Sequence, residues 1–363
     1  MRQSVEVLRP ALYYPYIHIR SEHWLKATLL CVPSVKRIVP TEYVPEDRSN
    51  ILKYTQLKGP HGFLLQAVRS DSTASRAAQR RLTQKVEQHI DTIKALYQRS
   101  TAPGPDRYWI HDQKLSYALR NHLQQHELAW DSHDPHGHGD RQWLALHPTL
   151  GSALMTTIGL SIAKAERLDV VTPSRRFHET LLATEEEDVF ERLLTGKRAR
   201  RVPLQQARHD LGELVIALGT NLQALPAEAI PDLQQSDRFI AFQKLIRQTA
   251  AVVNREGDSR DYRRELEQEA HDLIDAWRDS KRTFSRGVRQ SVFEQGARTA
   301  VLAKVAATGH AVAAGAGLSI FLVAQKVRQL RKTHGGDPLH YLTQVRAATD
   351  KGMLLRFPLG LER

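Results

Sequence analysis

Short β-branched and aromatic runs alternate with stretches of helical spacing through roughly the first half of the chain. Residues 11–19 (ALYYPYIHI) read as a strand, because such side chains suit a pleated, half-buried surface. Ser21 is a cap for the next element, in which Trp24, Leu25, Thr28 and Leu29 recur at helical spacing. Pro33 limits that helix, and residues 35–39 (VKRIV) read as a second short strand before Pro40. Strand, helix and strand with short connections predict a βαβ unit, its strands parallel and Trp24 packed on the sheet.

Residues 41–62, with Pro45, Asn50 and Gly59-Pro60, read as irregular. Residues 72–98 predict one long polar helix, opened by Ser72 or Thr73 and closed before Pro103-Gly104-Pro105. Then come a strand over 107–111 (RYWIH), a helix over 113–128, a loop over 131–140 (DSHDPHGHGD), a strand over 142–146, a helix over 149–167 and a strand over 168–172. The alternation predicts an α/β N-terminal part, with a βαβ start and a mixed or parallel sheet. Past a charged helix over 185–194 and the basic loop GKRARRVP, residues 213–218 fit either a strand or a helix; so short an apolar run does not decide. Pro226 and Pro231 mark a boundary between an α/β domain, 1–225, and a mostly α-helical C-terminal region, 226–363. In that region residues 234–255, 262–287, 288–331 and 339–348 read as helices.

Composition narrows the class. Hydrophobic residues make up 41% of the chain and charged residues 25%, a globular balance that argues against wholesale disorder. The single cysteine, Cys31, excludes an intrachain disulfide framework and reads as a buried, inert thiol. The opening MRQSVEVLRP has no long apolar core, so a secretory signal is not expected and the cytoplasm is the expected compartment. A formal net charge of +12 points to polyanionic partners, an anionic membrane or nucleic acid. The excess is spread over residues 76–85, 197–201, 260–264, 278–289 and 326–332, each cluster alone reading as a solvated face. Lys197, Arg198, Arg200 and Arg201 form the candidate basic patch. Few aromatic residues interleave with these clusters, which disfavours a stacking platform for single strands.

The run Leu12-Tyr13-Tyr14-Pro15-Tyr16-Ile17-His18-Ile19-Arg20, with Trp24-Leu25-Lys26 and Arg37-Ile38-Val39-Pro40, resembles the opening of an uncharacterised bacterial domain-of-unknown-function family. Residues 147–155 (HPTLGSALM), Val170-Val171-Thr172 and the helix over 231–247 are similar as well. The resemblance brings no established activity to carry over. Pro173 stands where the resemblance leads one to expect an acidic residue.

His18 and Arg20 close the first predicted strand, and ligands of open parallel sheets bind beyond the carboxyl ends of the strands. There Arg20 would hold a phosphate or carboxylate and His18 would transfer a proton, with Asp112 as an acidic partner; the alternative is structural contacts under the following helix. His133, His136 and His138, with His122 and His126 on the preceding helix, are of metal-ligand type; the alternative is a polar loop. Leu123, Gln124 and Gln125 between the two helical histidines exclude a zinc-protease signature. Gly315-Ala316-Gly317 lacks the lysine and hydroxyl of a phosphate loop, and no Gly-x-Ser-x-Gly elbow occurs. No cofactor is called for.

Residues 305–325 (VAATGHAVAAGAGLSIFLVAQ) hold no formal charge and have about the length that crosses a bilayer as a helix, about 20 residues. Gly315 and Gly317 permit close helix contact, while Leu318, Ile320, Phe321 and Leu322 concentrate the strong hydrophobes at one end. The alternative is a buried central helix of a helical domain. The leading functional expectation is a non-enzymatic protein whose helical C-terminal region engages a membrane, as a defence or toxin-like effector would. Its rivals are a nucleic-acid-binding protein and an enzyme working at the carboxyl ends of the N-terminal strands; a protein partner is also open.

Overall fold

A computed structural model describes residues 9–172 apart from 15, 42, 100–106 and 133–142, then 190 and 194, and residues 204–256, 262–287 and 338–356. The chain forms two compact units, Met1–Leu25 with Val32–Gln206, and Lys26–Cys31 with Ala207–Arg363.

The first unit is built on a parallel sheet. Strand β1 is Ala11–Tyr13, followed by helix α1 (Glu22–Leu29) and strand β2 (Val35–Val39). β1 lies parallel to β2, with Tyr13 opposite Arg37. The Trp24 ring rests 5.0 Å from that of Tyr13, and Ser21 Oγ caps α1 by accepting from the Trp24 amide. The first strand is shorter than its composition predicts and ends at Tyr13. Proline has no N–H for a ladder, so Pro15 cannot extend a central strand on the donor side.

After a short helix α2 (Ser49–Leu52), a small hairpin, β3 (Lys58–Gly59) and β4 (Gly62–Phe63), leads into β5 (Leu65–Arg69). β5 pairs parallel with β2. Much later β9 (Asp169–Val171) pairs parallel with β1, so the strand order is β5-β2-β1-β9. Leu12, Ile38 and Val68 enter an apolar cluster of this unit. The same cluster takes Leu82 and Val86 of α3 (Thr73–Gln88), and Leu154, Ile158 and Ile162 of α6 (Pro148–Glu166). The predicted single helix over 72–98 is two helices, α3 and α4 (Ile90–Arg99), which meet at His89.

A second, antiparallel sheet has the order β6-β8-β7, from β6 (Tyr108–His111), β7 (Ala129–Ser132) and β8 (Trp143–Leu146). Between β6 and β7 stand a 3-10 turn, Asp112–Lys114, and helix α5 (Tyr117–Gln125), capped by Ser116. Helix α6 is apolar on nearly all sides and almost wholly buried, as such a helix must be in water. Gly151 on it faces the Tyr108 ring so closely that a Cβ would stand 2.4 Å from Cδ1.

The second unit is helical: α7 (Leu204–Gly219), α8 (Ala229–Gln235), α9 (Asp237–Glu256), α10 (Tyr262–Gly287) and α11 (His340–Arg356). Residues 213–218 therefore belong to a helix. Carbonyls at the end of α1 have no helical partner and take side-chain donors instead. Gln234 Nε2 donates to Leu29 O at 2.7 Å, and the Tyr341 hydroxyl to Leu30 O at 3.3 Å. Cys31 is buried in this unit, and burial pushes its thiol well above the usual range.

Candidate functional site

The chain leaves β1 at Tyr13 and passes over the carboxyl edge of the parallel sheet, where two strand side chains hold it. The Tyr13 hydroxyl donates to His18 O at 2.9 Å, and Arg37 Nη1 donates to Ile17 O at 3.1 Å. The His18 backbone is thus set by side chains of β1 and β2, and its ring has a polar neighbour off each nitrogen. Nε2 lies 2.9 Å from the Tyr43 hydroxyl, and Nδ1 lies 3.7 Å from Asp47 Oδ1. The other oxygen of Asp47 meets Arg37 Nη1 at 2.5 Å. Asp47 has no exposed side-chain surface, whereas that of His18 is 26% exposed.

A buried carboxylate next to a histidine and an arginine has a defined charge state. Burial acts to raise the pKa of Asp47, but the neighbouring His18 and the Arg37 guanidinium together outweigh it and hold the group below its ordinary value. The carboxylate therefore stays ionised and favours a proton on the Nδ1 that faces it. With that proton in place, Nε2 is left to accept from the Tyr43 hydroxyl.

Behind this pair stands an aromatic wall. The Tyr43 ring lies 4.9 Å from that of His111, and His111 lies 5.3 Å from Trp143, both edge-on. Ile17, Val39 and Trp143 form an apolar cluster with Tyr43 and Trp109 packed against it. His111 closes β6, and the 3-10 turn after it brings in Lys114, which is buried. Ser70, just past β5, donates to Gln113 O at 3.0 Å and so ties this turn to the parallel sheet. Burial pulls the Lys114 amine down to about 7, and the Arg37 charge pulls in the same direction.

Of the residues singled out from sequence, His18 lies in this cluster. Arg20 is exposed, with its guanidinium 4.0 Å over the Tyr16 ring. Asp112 pairs with Arg120 at 2.6 Å and lies 3.5 Å from His111 Nδ1; the carboxylate beside His18 is Asp47 instead. The His122 and His126 rings face each other at 4.6 Å, and burial, then the charge of His126, holds His122 below its ordinary value. Among the described residues no group of three or more His, Cys, Asp or Glu side chains is placed to hold a metal. Among them, too, no helix is long and apolar enough to cross a membrane. His133, His136 and His138, the basic patch Lys197, Arg198, Arg200 and Arg201, and the apolar segment with Gly315, Gly317, Leu318, Ile320, Phe321 and Leu322 lie outside the described residues.

Sequence reasoning missed Arg37, Tyr43, Asp47 and Lys114. One signal was present: VKRIV puts two adjacent cations inside a strand, so alternation must turn one of them inward. No protein-family model, curated protein or solved structure matches this chain.

Proposed function

We propose that the first unit is an enzyme domain that performs general acid–base chemistry at the carboxyl edge of its parallel sheet. His18 is the general base, Asp47 holds its ring and tautomer, and the Tyr43 hydroxyl is the group that meets the substrate. The observation that carries this reading is the placement of His18 between the buried Asp47 carboxylate and the Tyr43 hydroxyl. A reactive hydroxyl, a base within hydrogen-bond reach and a third group that orients the base are the parts of an activated nucleophile or proton relay. The partial exposure of His18 leaves it open to a substrate, and open α/β sheets place ligands at this edge. The protein would work in the cytoplasm. The membrane reading rests on residues 305–325, which lie outside the described structure, and nothing described favours it over the relay.

The relay can be tested without knowing the substrate. Phenylmethanesulfonyl fluoride labels a tyrosine when the phenol oxygen displaces fluoride and the phenolic proton passes to a base. Tyr117 is 76% exposed and serves as the internal reference. In the full chain, Tyr43 should be labelled faster than Tyr117 by peptide mass spectrometry, and the excess should vanish in His18→Gln. Labelling of Tyr43 no faster than that of Tyr117, or unchanged in His18→Gln, contradicts the proposal.

A further inference from the structure

We infer that His122 and His126 are the two protein ligands of a divalent transition-metal cation of the zinc, nickel and copper class, held at the end of helix α5 with water in its remaining positions. The inference does not depend on the relay, none of whose residues lies on α5.

The helix sets the geometry. Residues four apart stand on one face of a helix, one turn from each other. The turn is closed here, since the His126 amide donates to the His122 carbonyl at 3.3 Å. The two rings face each other with centroids 4.6 Å apart and planes at 67°. Imidazole nitrogens that share one ion at about 2.1 Å each lie about 3–3.5 Å apart, a separation that rings this close reach by small side-chain rotations. Both residues are half-buried, so the pair is open to solvent. His122 Nε2 is nevertheless buried, and it has no hydrogen-bond partner among the described residues. A buried nitrogen in that state calls for a partner, and a metal ion is one. Among the described residues no third His, Cys, Asp or Glu side chain joins the two, so the site is a two-point clip. Two imidazoles suit zinc, nickel and copper, whereas magnesium and calcium take oxygen ligands.

The charges at this end of α5 favour a cation. The last carbonyls of the helix are the negative pole of its dipole. Residues 121–132 carry Glu127 and Asp131 and no Lys or Arg. Glu127 follows His126 in the left-handed conformation that ends the helix, with φ 58°. A carboxylate at the negative pole is disfavoured, and a cation bound beside it offsets that. Asp131 is held at the same end by Gln124, whose Nε2 donates to Asp131 Oδ1 at 2.8 Å.

The test uses the full chain with Zn²⁺ and Ni²⁺ as probes and Mg²⁺ as the hard-cation control. In calorimetry at least one of the two probes should bind saturably, and Mg²⁺ should not compete. Affinity should fall by about tenfold or more in His122→Gln and in His126→Gln, and the double variant should lose little beyond either, because the two share one ion. His61→Gln, an exposed histidine between β3 and β4, should stay within about twofold of the parent chain. In ¹⁵N-histidine-labelled chain, Zn²⁺ should move the ring-nitrogen signals of His122 and His126, assigned by the same variants. Circular dichroism checks that each variant folds; should His122→Gln not fold, His126→Gln and the ring-nitrogen signals decide. Neither probe binding, affinity unchanged in His126→Gln, or Zn²⁺ leaving both ring signals in place overturns the inference.

Discussion

Arg37 and Asp47 meet at 2.5 Å with almost no side-chain exposure on either, and the guanidinium that holds the carboxylate also donates to the Ile17 carbonyl. One ion pair therefore fixes both the acid that orients His18 and the backbone next to His18. Removing one partner of a buried pair strands the other charge, at a typical cost of about 3–5 kcal/mol. Asp47→Asn should lower the urea midpoint of the first unit by a corresponding amount.

The same pair sets an acid limit. The folded pKa of Asp47 lies below its ordinary value, so the carboxylate contributes stability that is present above the unfolded value of 3.8. That contribution is lost as pH falls through the folded value. Stability measured by urea titration from pH 5 downwards should fall in the parent chain more steeply than in Asp47→Asn. Parallel curves would show that Asp47 is not held in its ionised form by His18 and Arg37.

Lys114 has the opposite sign. Its folded pKa, about 7, lies below the ordinary 10.5, so between those values the unfolded chain binds a proton that the folded chain does not. Stability should therefore rise with pH across that interval. At pH 7 Lys114→Met should be more stable than the parent by on the order of 1 kcal/mol or more, since one pKa unit corresponds to about 1.4 kcal/mol. A lower unfolding temperature for Lys114→Met at pH 7 would assign the amine a structural role instead.

Gly151 is required by the approach of the second sheet to α6. An added methyl group would stand 2.4, 2.5 and 2.7 Å from Cδ1, Cγ and Cβ of Tyr108. Gly151→Ala should destabilise the chain by about 1–3 kcal/mol through overpacking. A second substitution, Tyr108→Ala, should be less harmful in the Gly151→Ala background than alone, and a double-mutant cycle measures the coupling.

Much of this architecture could be read along the chain, because local signals carried it. Ser21 and Ser72 each precede a helix and each accepts an amide hydrogen bond from that helix. The β-branched content of Val35–Val39 marks a strand, and proline and glycine punctuate the connections. The parallel sheet of the N-terminal part and the helical C-terminal region follow from such signals. β5 escaped because it follows the Gly- and Pro-rich hairpin and alternates only weakly. The partner of His18 escaped for a deeper reason. Asp47 comes from a loop after β2, Tyr43 from the same loop and Lys114 from beyond another sheet, so no spacing rule joins them; only the strand order brings them to one edge. Lys36 and Arg37 show the same limit on a smaller scale. Sequence says that one points inward, and the register decides that Lys36 reaches Glu166 near the surface while Arg37 enters the site.

The central claim is that Asp47 keeps the proton on His18 Nδ1 and leaves Nε2 to accept from Tyr43. Long-range proton–nitrogen NMR correlation on ¹⁵N-histidine-labelled full chain, at pH 8.5, reads this directly, with His18→Gln assigning the signal. The account predicts a His18 ring protonated on Nδ1 with unprotonated Nε2, whose nitrogen shift moves in Tyr43→Phe. A His18 ring protonated on Nε2, with a shift that ignores both Tyr43→Phe and Asp47→Asn, would contradict it.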